Sequence, residues 1–205
     1  MKLLLTDAGI TNSSIQNALI ELLGKPIAEC NALCIPTAGY GHPMSNPGSA
    51  YTFIAGKEPR NPMTSLGWKS VGVLELTALP SLDKERWSSW VREADVLLVN
   101  GGDALYLAHW VRESGLLELV STLPDLVWVG LSAGSMVMTP RIGEEFVQWK
   151  PPTGGDETLG IVDFCIFPHV PMNTLEEADA WAAKVGRPAY AIDYETAIKV
   201  ADGEV

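Results

Sequence analysis

The stretch VWVGLSAGSMVM at residues 127–138 decides the fold, because it passes from an apolar strand to a helix through a few small residues. Within it, residues 130–134 match G-x-S-x-G, the sharp strand-to-helix turn that exposes a serine at the carboxyl end of a strand. The helix that follows directs free N–H groups to the same point, which suits an oxyanion. The stretch predicts a nucleophilic Ser132, with a serine that merely caps the helix as the alternative.

The same order of strand and helix repeats outward along the chain. It predicts an α/β fold in which helices cover a mostly parallel sheet, and residues 1–205 are expected to form a single domain. The predicted strands are residues 2–6, 32–36, 70–76, 96–100, 127–131, 164–167, 190–192 and 197–200. The predicted helices are residues 12–23, 49–54, 82–94, 103–113 and 116–123, and a short one after the serine turn. The Gly- and Pro-rich stretch 37–67 is expected to form part of a site or an interface.

Charge and hydropathy narrow the partners and the location. The net charge of −11 repels phosphate backbones and anionic membrane surfaces, so neither nucleic acid nor a membrane is expected as a partner. No apolar run approaches the roughly 20 residues of a membrane span. The apolar run at residues 3–5 is too short for a signal peptide. A cytoplasmic location is therefore expected.

The cysteines predict neither a disulfide framework nor a metal site. Cys30, Cys34 and Cys165 are odd in number, and no second Cys or His pair completes a zinc site around the first two. All three lie in or beside apolar runs, which predicts buried thiols in a reducing compartment.

A nucleophilic serine needs a base, and the chain has three histidines. His169 follows a short apolar strand and comes directly after Pro168, so it is expected at the rim where parallel sheets place their sites. A surface turn is the plainer interpretation of His169. His42 lies in the Gly/Pro loop and His109 inside a predicted helix, where a solvated loop and a helix face are the better interpretations. We therefore predict His169 as the base.

Two further segments are candidates for supporting roles. Gly101 and Gly102 follow a buried strand and open a helix, so their backbone N–H groups are candidates for an oxyanion hole or a phosphate cradle, and a plain turn is the alternative. Near the end of the chain, Asp193 or Glu195 could orient His169 through a carboxylate, and Tyr194 through its hydroxyl group. A polar turn without a chemical role is the alternative there.

In their order and spacing these motifs resemble the peptidase E family, the aspartyl dipeptidases, whose wider group includes the cyanophycinases. The resemblance runs from the first strand through residues 100–103, 130–134 and 167–169 to residues 191–197. It implies a three-layer sandwich like that of the class I glutamine amidotransferases, a flavodoxin-like arrangement, with serine in place of the cysteine nucleophile. It implies cleavage of a dipeptide after an N-terminal aspartate, without metal or cofactor, by an enzyme that can form a homodimer.

The resemblance also implies roles for particular residues. Ser132 matches the nucleophile and His169 the base, while backbone N–H groups near Gly102, including that of Gly101, and at Ala133 match the oxyanion hole.

Several positions depart from the family pattern. Asp103 stands where the family usually has Asn, and its carboxylate would repel an acidic substrate side chain unless it is paired or turned away. Tyr194 occupies the position of the family's glutamate, and a shift of one residue would let Glu195 complete a Ser–His–Glu triad. Without that shift, Tyr194 would be the third member, or the pair Ser132 and His169 would act alone.

We take Glu195 as the predicted third member, and Asp103 and Tyr194 as predicted substrate-binding residues. The arginine by which related enzymes bind the aspartate side chain has no obvious match, since Lys184 and Arg187 are the basic residues between His169 and Tyr190.

Two rivals remain from the sequence. An α/β-hydrolase esterase also uses G-x-S-x-G, but its triad acid lies between the serine and the histidine in the chain. That stretch is short here, and Glu145, Asp156 or Asp163 would have to be the acid. A catalytically silent binding protein of the same fold is favoured by the departures at Asp103 and Tyr194.

Overall fold

A central sheet of six strands forms the middle of the molecule. The computed structural model describes residues 1–57, 62–170, 172–201 and 203–205, with only the backbone of Pro47. The strands are β1 (Lys2–Thr6), β2 (Asn31–Ile35), β3 (Ser70–Val73), β4 (Val96–Val99), β5 (Val127–Leu131), β6 (Cys165–Val170), β7 (Ala189–Asp193) and β8 (Ala197–Val200). The central order is β3-β2-β4-β5-β1-β8, and all neighbours are parallel except β8, which runs antiparallel to β1.

Helices cover both faces of this sheet. They are α1 (Ser13–Leu23), α2 (Ala38–Gly41), α3 (Pro47–Ile54), α4 (Lys84–Arg92), α5 (Ala104–Glu113), α6 (Leu116–Val120), α7 (Ala133–Met136) and α8 (Leu175–Val185). Successive residues of β1 point to opposite faces, as the pleat requires. Leu3 and Leu5 join a cluster with residues of α4, α5 and α6, whereas Leu4 joins one with residues of α1 and α3. The expected α/β sandwich with a mostly parallel sheet is confirmed.

A second, smaller sheet pairs β6 with β7 in parallel beside the central one. Its inner face packs on α8 through Cys165, Phe167 and Trp181. The pairing register shifts between Phe167 and Val170, a bulge that interrupts the ladder. Such a bulge changes the direction in which a side chain points, and here it lies at His169.

The structure departs from the predicted elements in three places. Helix α8 was not predicted, although Thr174 and Glu177 form a capping box at its start. The third strand ends at Val73 instead of residue 76, because Glu75 caps a 3₁₀ turn at Leu76–Ser81. The stretch 37–67 contains α2, which was not predicted, beside α3, which matches the helix predicted at 49–54; its residues 58–61 lie outside the described part of the chain.

The three cysteines are buried and free, as expected. Burial raises the pKa of the Cys34 thiol to about 11, which keeps it protonated at neutral pH. Among the described residues, no helix is both long and apolar enough to span a membrane.

Candidate active site

The serine turn after β5 is tightly constrained. Ser132 has φ 50° and ψ −110°, a conformation that residues with a side chain rarely adopt. The turn needs glycine on both sides. A Cβ on Gly130 would meet the carbonyl oxygen of Gly134 at 2.3 Å, and one on Gly134 would meet that of Val99 at 2.4 Å. These contacts hold Ser132 at the carboxyl end of β5, where its side chain borders a cavity.

The structure brings Ser132 and His169 together. The Oγ atom of Ser132 is 2.9 Å from Nε2 of His169, within hydrogen-bond distance. His169 also has a positive φ, 63°, at the bulge that ends the pairing of β6. Asn173 fixes this turn, because its side chain donates to the carbonyl of Pro168 and its backbone N–H donates to that of His169.

An acid that the sequence analysis did not consider lies on the other side of the imidazole. Asp7 directly follows β1, and its side chain is fully buried. Its Oδ1 atom is 2.9 Å from Nδ1 of His169 and also accepts a hydrogen bond of 2.9 Å from the backbone N–H of His169. The N–H at Nδ1 is directed away from the line between the two atoms, so this contact is close without being an aligned hydrogen bond.

The predicted third member, Glu195, does not reach the histidine. It lies exposed in the turn between β7 and β8, and within the described residues its carboxylate forms neither a hydrogen bond nor an ion pair. Asp193 instead stabilises its own turn, since Oδ1 accepts from the backbone N–H of Glu195 and from the hydroxyl of Thr196. The alternative interpretation of this segment, a polar turn without a chemical role, therefore fits Asp193 and Glu195, because the backbone and hydroxyl donors of the turn are bonded within the turn itself.

Tyr194 lies near the histidine but does not bond to it. The two ring centroids are 6.2 Å apart, edge to face, and the hydroxyl of Tyr194 donates to Sδ of Met172. Its ring therefore flanks the imidazole without taking the place of an acid.

Backbone N–H groups converge on the cavity from two neighbouring strands. Gly101 and Gly102 follow β4, and Ala133 is the first residue of α7; all three line the cavity beside Ser132. In the part of the chain that the structure describes, no acceptor pairs with any of these three N–H groups. Gly102 has φ 141°, and a Cβ there would lie 2.2 Å from the carbonyl oxygen of Ala38. Free N–H groups beside a nucleophile are suited to stabilise an oxyanion.

Asp103, predicted to bind substrate, has both carboxylate oxygens occupied. One accepts from the backbone N–H of Tyr106 and so caps α5, and the other accepts from the backbone N–H of Trp149. Burial raises the pKa of Asp103, against the opposing effect of these hydrogen bonds. Because the two donors meet different oxygens of Asp103, an asparagine in the same position would keep an acceptor for only one of them. The departure from the family pattern therefore ties a loop to α5.

The cavity has a volume of about 450 Å³, within the range of small-molecule sites. Its lining includes the large apolar side chains of Met136, Ile142 and Phe146, while Gln148 and His42 add polar groups. The backbone N–H of Met44 donates to Nδ1 of His42, which leaves Nε2 as that ring's donor. His109 instead packs against Trp110 and Trp149. Neither Lys184 nor Arg187 lines the cavity.

The sequence and the fold are both similar to those of known proteins. Matching residues 3–205, the sequence model of Peptidase family S51 covers nearly the whole chain. A structure from Listeria monocytogenes EGD-e, provisionally assigned as a peptidase E protein, is 20% identical with a TM-score of 0.66, and the alignment covers 99% of this chain and 95% of that one. A peptidase from an acI-B1 Actinobacterium is 21% identical with a TM-score of 0.68, over 98% of this chain and 83% of that one. Among curated proteins no match is found.

The fold and the family match together define the class of the molecule, which is a serine peptidase. The chain belongs to Peptidase family S51, as the resemblance to the peptidase E group predicted. The likeness to the two solved structures, at about one residue in five, shows the shared α/β fold.

Proposed function

We propose that this protein is a dipeptidase in which Ser132 is the nucleophile and His169 the general base. The observation that carries the proposal is the 2.9 Å contact between Ser132 Oγ and His169 Nε2, at a strained turn beside N–H groups that meet no acceptor among the described residues. Strain of this kind persists where the surrounding structure enforces it, and it is concentrated at functional sites.

The reaction follows from the positions of these groups. His169 takes the proton of Ser132 at Nε2 as Oγ attacks the peptide carbonyl, and the carbonyl oxygen becomes an oxyanion. The N–H groups of Gly102 and Ala133, with that of Gly101 nearby, donate to this oxyanion. The imidazolium then gives its proton to the leaving amine as the C–N bond breaks. Water, activated by His169, hydrolyses the acyl-enzyme and restores Ser132.

The substrates proposed are short peptides, and the first specificity to test is cleavage after an N-terminal aspartate. The resemblance to the peptidase E group supports aspartate, and His42, which lines the cavity, has its Nε2–H available as a donor to a carboxylate. The apolar lining residues Met136, Ile142 and Phe146 favour an uncharged side chain. A panel of dipeptides decides between these two preferences.

The setting proposed is the cytoplasm, because the free buried thiols persist best where the surroundings are reducing. A homodimer is proposed from the family resemblance. The reaction as proposed uses no metal or cofactor.

The experiment compares Asp-Leu with neutral and basic dipeptides, with Ser132→Ala as the matched control. Cleavage of Asp-Leu by the wild type, lost in Ser132→Ala, is the expected result. Turnover of neutral dipeptides alone would keep the mechanism and reject the aspartate preference. Ester hydrolysis without peptide hydrolysis would favour an esterase. A folded wild type in which Ser132 does not react with a fluorophosphonate probe would favour a binding protein.

A further inference from the structure

The carboxylate of Asp7 is buried in a way that requires an explanation. Its side chain has no exposed surface. Among the described residues, His169 is the only ionisable group within ion-pair distance of it. Its second oxygen, Oδ2, is buried without a hydrogen-bond partner among the described residues. Removing a charge from water and leaving one oxygen unpaired is unfavourable for folding. Such a group is commonly found where it serves the chemistry of a site.

The position of Asp7 is set by the sheet. Strand β1 lies between β5 and β8, and the residue after β1 lies at the same edge of the sheet as the serine turn after β5. Two hydrogen bonds tie the ends of β1 and β5 together, from the hydroxyl of Thr6 to the carbonyl of Gly130 and from the N–H of Ser132 to the carbonyl of Thr6. Asp7 is therefore held on a rigid element, close to the nucleophile.

The polar turn between β7 and β8 offers no rival for this place. The carboxylate of Glu195 is exposed, Asp193 accepts from its own turn, and Tyr194 donates to Met172. The family pattern places its acid in that turn, but in this chain the acid beside the imidazole is Asp7, directly after the first strand.

We propose that Asp7 is the positioning acid of His169, and this proposal rests on the proposed function. Its Oδ1 accepts the Nδ1–H of the neutral ring, which leaves the lone pair of Nε2 directed at the hydroxyl of Ser132. When Nε2 takes the serine proton, the buried carboxylate offsets the positive charge of the imidazolium. The Nδ1–H, which is not aligned with Oδ1 in the structure although the two atoms are 2.9 Å apart, comes into line with it when substrate is bound, as catalytic hydrogen bonds commonly do.

The variant Asp7→Asn tests the charge without removing the shape. Its amide oxygen still accepts from the backbone N–H of His169, so a merely structural role predicts little change. The proposal predicts that kcat/KM on the best peptide falls roughly 10²- to 10⁴-fold while the circular dichroism spectrum is unchanged. The matched control Glu195→Gln removes a carboxylate in the same way from the turn and is expected to stay within about twofold. An Asp7→Asn enzyme within about threefold of the wild type would overturn the proposal.

A second measurement needs neither a substrate nor a folded variant. In ¹⁵N NMR spectra of the wild type, His169 is expected as the neutral tautomer protonated at Nδ1. A wild-type ring protonated at Nε2 would overturn the assignment of Asp7 even if peptides are cleaved. If the Nδ1–H form is seen but no peptide is turned over, the proposed function fails and the pairing of Asp7 with His169 stands.

Discussion

Two regions of the molecule carry acids near His169, and they differ in every property that matters to an imidazole. The end of β1 presents Asp7, fully buried and 2.9 Å from Nδ1. The turn between β7 and β8 presents Asp193 and Glu195, of which Glu195 is exposed and Asp193 bonds within the turn. A carboxylate acts on a nearby positive charge far more strongly where water is excluded. Glu195 lies next to the position where the family has its acid, but Asp7 is buried at the edge of the sheet where His169 lies. Burial at that edge therefore indicates the partner of the histidine better than sequence position does.

The largest expected effect comes from His169→Ala, because both regions could act only through this ring. We expect kcat/KM to fall roughly 10⁴-fold or more, and adding Asp7→Asn to change it by no more than about twofold. Residues that act as one unit give such non-additive losses. Steady-state kinetics of the two single variants and the double variant measure this, and an additive double loss would show that Asp7 acts apart from the histidine.

The second prediction concerns the effect of the buried Asp7 on the stability of the protein. Asp7→Asn replaces a buried charge that has one unpaired oxygen, so we expect the free energy of unfolding to rise by about 1 kcal/mol while activity falls. Urea unfolding of wild type and variant measures the change. Glu195→Gln is the control and is expected to leave the midpoint in place. A variant that is destabilised by several kcal/mol would mean that Asp7 chiefly supports the fold.

Asp103→Asn sharpens the comparison, because Asp103 is also a buried acid but both its oxygens already accept backbone N–H groups. Asparagine keeps the cap of α5 and loses the acceptor for Trp149. We expect stability to fall by about 1 kcal/mol and kcat/KM to fall less than tenfold. A loss of activity as large as that of Asp7→Asn would show that any buried acid near the cavity supports activity, whether or not it contacts His169.

The pH dependence of this variant has a definite sign. Burial raises the pKa of Asp103 above its ordinary value of 3.8, so the folded protein binds this proton at a pH where the unfolded chain has lost it. The contribution of Asp103 to stability therefore falls as the pH rises from 3.8 through the raised pKa, and is constant above it. Urea midpoints across this range should show the difference, wild type minus Asp103→Asn, decreasing with pH. A difference that increases would reverse the direction of the pKa shift.

The smallest effect is expected in the turn. In Asp193→Asn the side chain keeps the oxygen that accepts from Glu195 and Thr196, so stability should change by less than about 0.5 kcal/mol and activity by less than about twofold. Thermal unfolding and the same peptide assay measure both. A large loss of activity would return the turn to the catalytic machinery and break the contrast with β1.

Local patterns explain which parts of this molecule could be predicted. The strand and turn around Ser132 and the short strand before His169 carry their information within a few residues, and both elements were predicted close to where they lie. Asp7 could not be found in this way, because its partner His169 is 162 positions away and the two meet only through sheet order. The available signal was an acid at the carboxyl end of the first predicted strand, a position the parallel sheet brings next to the serine strand. Helix α8 was missed although its capping box is local.

The placement of the pair in two separate sheets has a consequence for how the protein is made. Ser132 belongs to the central sheet and leaves the ribosome before His169, which sits on the small β6–β7 sheet. The serine has no proton acceptor until that later segment has folded against it. Under the proposed mechanism, we therefore expect a chain truncated before β6 to lack peptidase activity, and activity to appear only when the last part of the protein has reached its final arrangement.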